Sequence, residues 1–249
     1  MRAKIGPALG FGAFLLALWW LVSVTGAVDS AFLPSPYEAA SRMIAGLAQG
    51  YLATAAWVTL QEALFGCLLA GLVGIPLGYL VGKSRLSARV LQPYLAGAQA
   101  IPGVALAPLL TIWIGYGTGS IVTLCAIMVV FPVIINSAMG VAHIDRDVLG
   151  AARLDGASGF TLVRHIELPL AAPSILAGLR TGFTLSVTGA VVGEMIIGGK
   201  GLGMLLTSAQ ASADVKGMFA VIILLAASAM LIYGFLVLVE RRANYLIRS

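Results

Sequence analysis

Charge is the scarcest property of this chain. Only 10% of its 249 residues are Asp, Glu, Lys or Arg, against about 25% in an average soluble domain. No charged residue occurs in 5–28, 63–82, 90–144 or 217–239. Gaps of that length exclude an ordinary soluble fold, because about 20 apolar residues suffice to cross a bilayer. Cysteine is almost absent: Cys67 and Cys125 both fall within apolar runs. That excludes a disulfide framework or a cysteine-based metal site and leaves two small buried hydrophobes. Catalytic signatures are missing too. There is no His-Glu-x-x-His pair, and His143 and His165 stand without a ligand cluster. Gly193 and Gly198 have phosphate-loop spacing, but Gly199 follows where that loop needs Lys. The chain is therefore expected to be no enzyme and to carry no cofactor and no metal.

What is present is hydrophobic, at 60% of residues, and divided into stretches of membrane length. The expectation is one all-α transmembrane domain over 1–249 with six spans at about 7–25, 55–81, 90–114, 121–142, 171–197 and 218–239. The first is read as an uncleaved span, since it is longer than a signal-peptide core and Gly26-Ala27-Val28 is a weak cleavage site. Residues 39–49 suggest a short amphipathic helix near the interface. Residues 198–203 suggest a turn. Pro93, Pro102 and Pro108 interrupt the third span, and Pro132 and Asn136 lie in the fourth. Glycines such as Gly66, Gly71, Gly74 and Gly78 share one helix at spacings that let membrane helices approach closely.

Six spans put both termini on one side. Arg2, Lys4, Lys83, Arg85, Arg89, Arg146, Arg153, Arg164, Arg180, Arg241, Arg242 and Arg248 fall on that side, and only Arg42, Lys200 and Lys216 on the other. By the positive-inside rule the shared side is cytoplasmic. The net charge of +5 thus reports topology and not nucleic-acid binding. Glu62, Arg180 and Glu194 are ionisable residues within or beside spans, where a functional role is the default reading. For Glu194 the choice is between a gate in a solute pathway and a packing hydrogen bond. Pro102 and Asn136 are further pathway candidates.

The one long polar stretch of the second half, about 143–170, carries Arg153, Asp155, Arg164, His165 and Glu167 between apolar runs. It must lie in water, and its composition suits a docking surface for a soluble partner. Within it, Gly150-Ala151-Ala152-x3-Gly156-Ala157-Ser158 is followed by Ile166-x-Leu168-Pro169, with Ile166 ten residues past Gly156. This resembles the cytoplasmic Glu-Ala-Ala loop of ABC import permeases of the type I, binding-protein-dependent class. Gly150 departs from the family, which has Glu there; Asp147 and Asp155 are nearby carboxylates. Pro34-Ser35-Pro36, Gly74-Ile75-Pro76-Leu77-Gly78, Ile101-Pro102, Ala107-Pro108-Leu109 and Gly201-Leu202-Gly203 look like the subfamily importing sulfonates, taurine, nitrate and thiamine-precursor pyrimidines.

The resemblance implies a homodimeric permease in a bacterial inner membrane, with N- and C-termini cytoplasmic. It implies a separate ATPase, in two copies, and a periplasmic or lipid-anchored binding protein that delivers a small solute, with a lean toward a small anion. It assigns coupling to the ATPase to Gly150, Ala151, Ala152, Asp155, Gly156, Ala157, Ser158, Leu168 and Pro169, in a short helix around 147–154 and the turn after it. The alternative class is an ATP-independent secondary transporter or channel, which normally carries more intramembrane charge than these spans do.

Overall fold

The computed structural model describes residues 5–26 and 28–248. Arg2 and Lys4, the positive start of the chain, and Ala27 lie outside the described residues. Eleven α-helices and one π turn follow in order among the described residues. Helices α1 (Ile5–Val24) and α2 (Pro36–Ala48) precede the long α3 (Tyr51–Lys83). Then come α4 (Arg85–Gln99), α5 (Gly103–Ile114), α6 (Thr118–Ala142) and the short α7 (Arg146–Leu154). A single turn, α8 (Gly159–Leu162), runs through a π turn (Val163–Glu167) into α9 (Leu168–Ile197). The chain finishes with α10 (Leu202–Ala211) and α11 (Val215–Arg248).

Six unbroken spans are not what the structure shows. Among the described residues, four helical stretches pass as long and apolar enough to cross a bilayer, Tyr51–Lys83, Thr118–Ala142, Gly159–Ile197 and Val215–Leu238, or five if the bent pair ending at Ile114 is one span. The expected third span is two helices meeting at 88°. The cause is Pro102, which biases Ile101 away from helix and sits extended at φ −63°, ψ 121° as the cap of α5. Helix α1 (Ile5–Val24, 20 residues) takes up most of the expected first span. The polar stretch is also more helical than a loop, since the chain re-enters helix at Gly159. The short helix α10 has no counterpart in the sequence reading. It opens on Leu202-Gly203, and glycine is a poor helix former.

The core is the trio α3, α6 and α9. From Gly74 against Val133 to Gly78 against Ser137 and Gly82 against Ala138, α3 and α6 run parallel. From Gly140 against Ser174 to Gly178 against Asn136 and Gly193 against Ile121, α6 and α9 run antiparallel. These glycines leave no room for a side chain. A Cβ at Gly78 would fall 2.5 Å from Ser137 Cβ, and one at Gly182 would fall 2.6 Å from Val129 Cγ1. Ile121, Leu124, Cys125, Val129 and Val133 of α6 are wholly buried as a result. Polar stitches cross the same seams: Ser186 Oγ donates to Ala63 O at 2.7 Å, and Cys125 Sγ to Ser186 O at 3.3 Å. Both cysteines are buried and free.

The ends of α3 and α6 near residues 83 and 142 and the start of α9 share one end of the bundle, with α7 between them. At the far end, α2 is capped by Ser35 and Glu38 in a reciprocal capping box. It is tied to the start of α11 by Arg42–Asp214 at 2.8 Å and Lys216–Glu38 at 2.5 Å. Hydrogen bonding to Lys216 holds the Glu38 carboxyl below its ordinary range, and hydrogen bonding to Arg42 does the same for Asp214. Both carboxyls are depressed, so the tie is complete at neutral pH and is lost only as pH falls through the lowered values.

Gly78→Ala is expected to force α3 from α6 and destabilise the protein by about 1–3 kcal/mol. Gly234→Ala, where a Cβ meets nothing within 4 Å, is expected to be silent. Thermal unfolding of both variants in one detergent checks the contrast.

Candidate functional site

Helix α7 is closed at both ends by its own chain. Asp145 caps its start, its carboxylate accepting from Asp147 N at 2.9 Å. Its end is a Schellman arrangement: Ala157 N donates to Ala152 O at 2.9 Å and Gly156 N to Arg153 O at 3.1 Å. That closure needs a left-handed residue, and Gly156 supplies φ +89°. No residue of α7 is buried. Leu154 is 90% exposed and Phe160 75% exposed, and Val148 is exposed as well. The candidate coupling residues thus sit together: Gly150, Ala151 and Ala152 on α7, Asp155 and Gly156 in its cap, Ala157 and Ser158 in the link. Leu168 and Pro169 open α9 behind them. Gly150 faces open space: a Cβ added there would meet nothing within 4 Å.

What fastens this unit to the bundle is Glu167, which the sequence reading counted only as part of the polar stretch. Pro169 has no N–H to give the helix, and just before it the backbone widens into the π turn, with Leu168 N bonded back to Val163 O. The turn leaves Glu167 buried, at 1% exposure. There its carboxylate accepts from Tyr79 Oη and from Lys83 Nζ, both on the last turn of α3. Lys83 also lies 5.5 Å from the centre of the Tyr79 ring. The signal in the sequence was Tyr79 and Lys83, four apart on one helix face, ending a charge-free run. Arg146, Arg153 and Lys83 line a cavity of about 420 Å³ beside Glu167. The two histidines each bond one turn back, His143 to Met139 O and His165 to Thr161 O.

The pathway candidates do not form one cluster. Pro102 lines a cavity of about 350 Å³ with Gln99, Met128, Phe131, Pro132 and Leu185. It lies where the bend before α5 meets α6 and α9. Asn136, one turn past Pro132, donates to Pro132 O at 2.9 Å and packs on Gly178. Glu194 is elsewhere, fully buried at the far end. It accepts from Thr59 Oγ1 at 2.7 Å and from Gly203 N at 2.5 Å, and Thr59 Oγ1 accepts in turn from Leu202 N at 2.8 Å. Gly203 is glycine for a reason: a Cβ there would lie 2.9 Å from Glu194 Cβ. Arg180 stacks over the Tyr233 ring at 5.5 Å.

A glycine-packed bundle with a capped, water-facing helix between two of its long members is the architecture of a membrane transport subunit. The family model for the inner membrane component of binding-protein-dependent transport systems matches residues 74–245, and the chain belongs to that family. A riboflavin transport system permease of Chloroflexus aurantiacus is 38% identical, over 94% of this chain and 89% of that protein. The taurine transport system permease of Escherichia coli is 31% identical over 84% and 78%. Among solved structures, a methionine ABC transporter in an inward-facing conformation superposes with a TM-score of 0.69 at 20% identity. That match covers 77% of this chain and 95% of the other. The chain is thus a permease subunit of an ATP-driven importer, non-catalytic itself, with an ATPase and a substrate-binding protein as partners.

Lys83→Met leaves the buried Glu167 carboxylate short of its cationic donor and is expected to cost about 1–3 kcal/mol. Lys83→Arg keeps a donor at that place and is expected to recover most of it. Unfolding midpoints of the two variants against the parent decide.

Proposed function

We propose that two copies of this chain enclose the translocation pathway and that α7 of each seats in a groove of one of two ATPase subunits. The carrying observation is α7 itself: capped at both ends, unburied along its length and apolar at Val148 and Leu154. The caps satisfy the end groups of a helix that packing does not support, which leaves its whole surface free for a partner. Glu167 ties the chain after α7 to α3, and α7 lies between α6 and α9, joined to α9 through α8 and the π turn. A push on α7 therefore moves the whole trio as a body, biasing a two-state equilibrium between inward- and outward-facing forms.

In this reading the α7 end and both termini are cytoplasmic, supported by the twelve cations against three. The membrane is the bacterial inner membrane, and a periplasmic or lipid-anchored binding protein docks at the opposite end. The solute passes along the broken helix pair α4 and α5 and the adjoining faces of α6 and α9, by Pro102 and Asn136. Glu194 belongs to the outer gate. The cargo is a small organic solute. The subfamily likeness favours an anion such as a sulfonate or taurine, and the riboflavin permease relative adds uncharged heteroaromatic solutes to the class.

Two experiments test this. Gly156→Asp strains the turn by about 1–2 kcal/mol and adds charge at the docking face. It is expected to leave insertion intact while ATP hydrolysis no longer drives uptake; normal uptake would remove α7 from the coupling role. Single cysteines placed along Gly97 to Leu110 are expected to react with a small water-soluble reagent in a periodic subset. Uniform protection by lipid would take the pathway elsewhere.

A further inference from the structure

At the far end of the trio two glutamates meet in the interior. Glu62 of α3 is 1% exposed and Glu194 of α9 is fully buried, and the Glu62 side chain lies against Glu194 and Thr118. Their surroundings are unequal. Glu194 takes two donors, the Thr59 hydroxyl and the Gly203 amide. Neither oxygen of Glu62 has a hydrogen-bond partner. An ionised carboxylate only accepts, so two ionised groups in contact offer each other nothing and repel. A buried acceptor with no donor is also costly in its own right. Both difficulties vanish if the pair holds a single proton, as closely spaced carboxylates do elsewhere.

We propose that Glu62 and Glu194 form a proton-binding site. Glu62 carries the proton and donates it in a hydrogen bond to the Glu194 carboxylate. The assignment follows from the donors: Glu194 accepts two direct hydrogen bonds, whereas Glu62 makes none and has only the Thr118 side chain beside it. A cavity of about 640 Å³ adjoins the buried pair, lined by Glu62 with Gln61, Tyr116, Thr118, Lys200 and Met204, and is the route by which the proton would exchange. Other titratable groups facing the pair are Cys125 from α6, with Tyr116 and Lys200 from the connections on either side of the cavity. Helix α10 brings none. The charges at the start of α11, Asp214 and Lys216, are paired with Arg42 and Glu38.

The bound proton joins α3 to α9 at the point where Glu194 also holds residues 201–203. Glu194 accepts from Gly203, and Thr59 binds Leu202. Losing the proton to the cavity water leaves two negative charges in contact, and α3, α9 and the 198–203 connection separate there. The proton is therefore a fastener of this end of the bundle. This holds whatever solute is carried and whether or not α7 is the docking helix.

The test uses the permease–ATPase complex in detergent. The parent is expected to show the infrared band of a protonated side-chain carboxylic acid, downshifted in heavy water and missing from Glu62→Gln. That variant is a neutral isostere of the proposed acid and is expected to assemble normally. Met204→Cys, on the cavity wall, is then labelled with a maleimide in the parent and in the Glu62→Gln background. The ratio of the two rates cancels the chemistry of the thiol itself. It is expected to rise severalfold from mildly acidic to alkaline pH, as the parent site opens and the variant stays shut. A flat ratio, an unchanged carboxylic acid band in Glu62→Gln, or failure of that variant to assemble would each overturn the proposal.

Discussion

In hydrocarbon no hydrophobic force pushes one helix onto another, since lipid tails are as apolar as leucine. Helices there are held by close packing and by the few polar contacts that survive. The contact of α3, α6 and α9 along their glycines meets that requirement, and the rest of the molecule depends on it. Gly74, Gly78 and Gly82 bring α3 onto α6, while Gly178, Gly182 and Gly193 bring α9 onto its other side. Ser186 and Cys125 add hydrogen bonds where the backbones are nearest. The outer helices contribute far less: in the apolar stretch of Val215–Leu238 only 6% of positions are buried, against 44% in Thr118–Ala142. Three rods form a body, and the others flank it with surface left for lipid or for a second copy.

Buried carboxylates sit at the two ends of that body. Glu167 closes the α7 end against Tyr79 and Lys83 of α3. Glu62 and Glu194 lie at the other end, where Glu194 holds the connection to α10. Glu167 and Glu194 are placed where α9 begins and ends, where backbone donors and neighbouring turns are at hand, while Glu62 lies about three turns inside α3. The two ends differ in kind. One is neutralised by a cation with 41% of its side chain in solvent. The other has two carboxylates side by side, with no ion pair to either among the described residues. The trio thus has a charge-paired foot and an acid-rich head.

Much of this was legible in residue order, and the reasons are physical. Charge-free runs mark spans because hydrocarbon rejects charge. Gly156 marks the end of the α7 unit because the closing turn needs a left-handed residue, while the spacing to Ile166 was legible only through the family resemblance. Three things were hidden. The break at Ile101-Pro102 looked like another tolerated proline, since sequence does not reveal whether neighbours will satisfy the freed carbonyls. Glu167 looked like one more polar residue of a loop, because its partners lie on α3, more than 80 positions earlier. Gly201-Leu202-Gly203 looked like a turn, because only the folded chain brings Glu194 and Thr59 against it.

Gly150 is the place where this chain departs from the family pattern, and its setting says what the departure costs. Glycine within a helix loses about 1 kcal/mol relative to alanine, and a nine-residue helix is too short to be stable alone in water. Yet α7 keeps its geometry, because both ends are fixed from outside. Asp145 closes one and the Gly156 turn the other, and Glu167 pins the chain that follows. The space around Gly150 is empty, so no contact within the fold is lost by having no side chain there. If α7 docks as proposed, recognition at that position passes from a charge to bare backbone. It then rests on Val148 and Leu154, with Arg146, Asp147 and Asp155 as flanking charges, and a partner groove fitted to this chain would be more apolar and closer to the helix than one built to receive a glutamate.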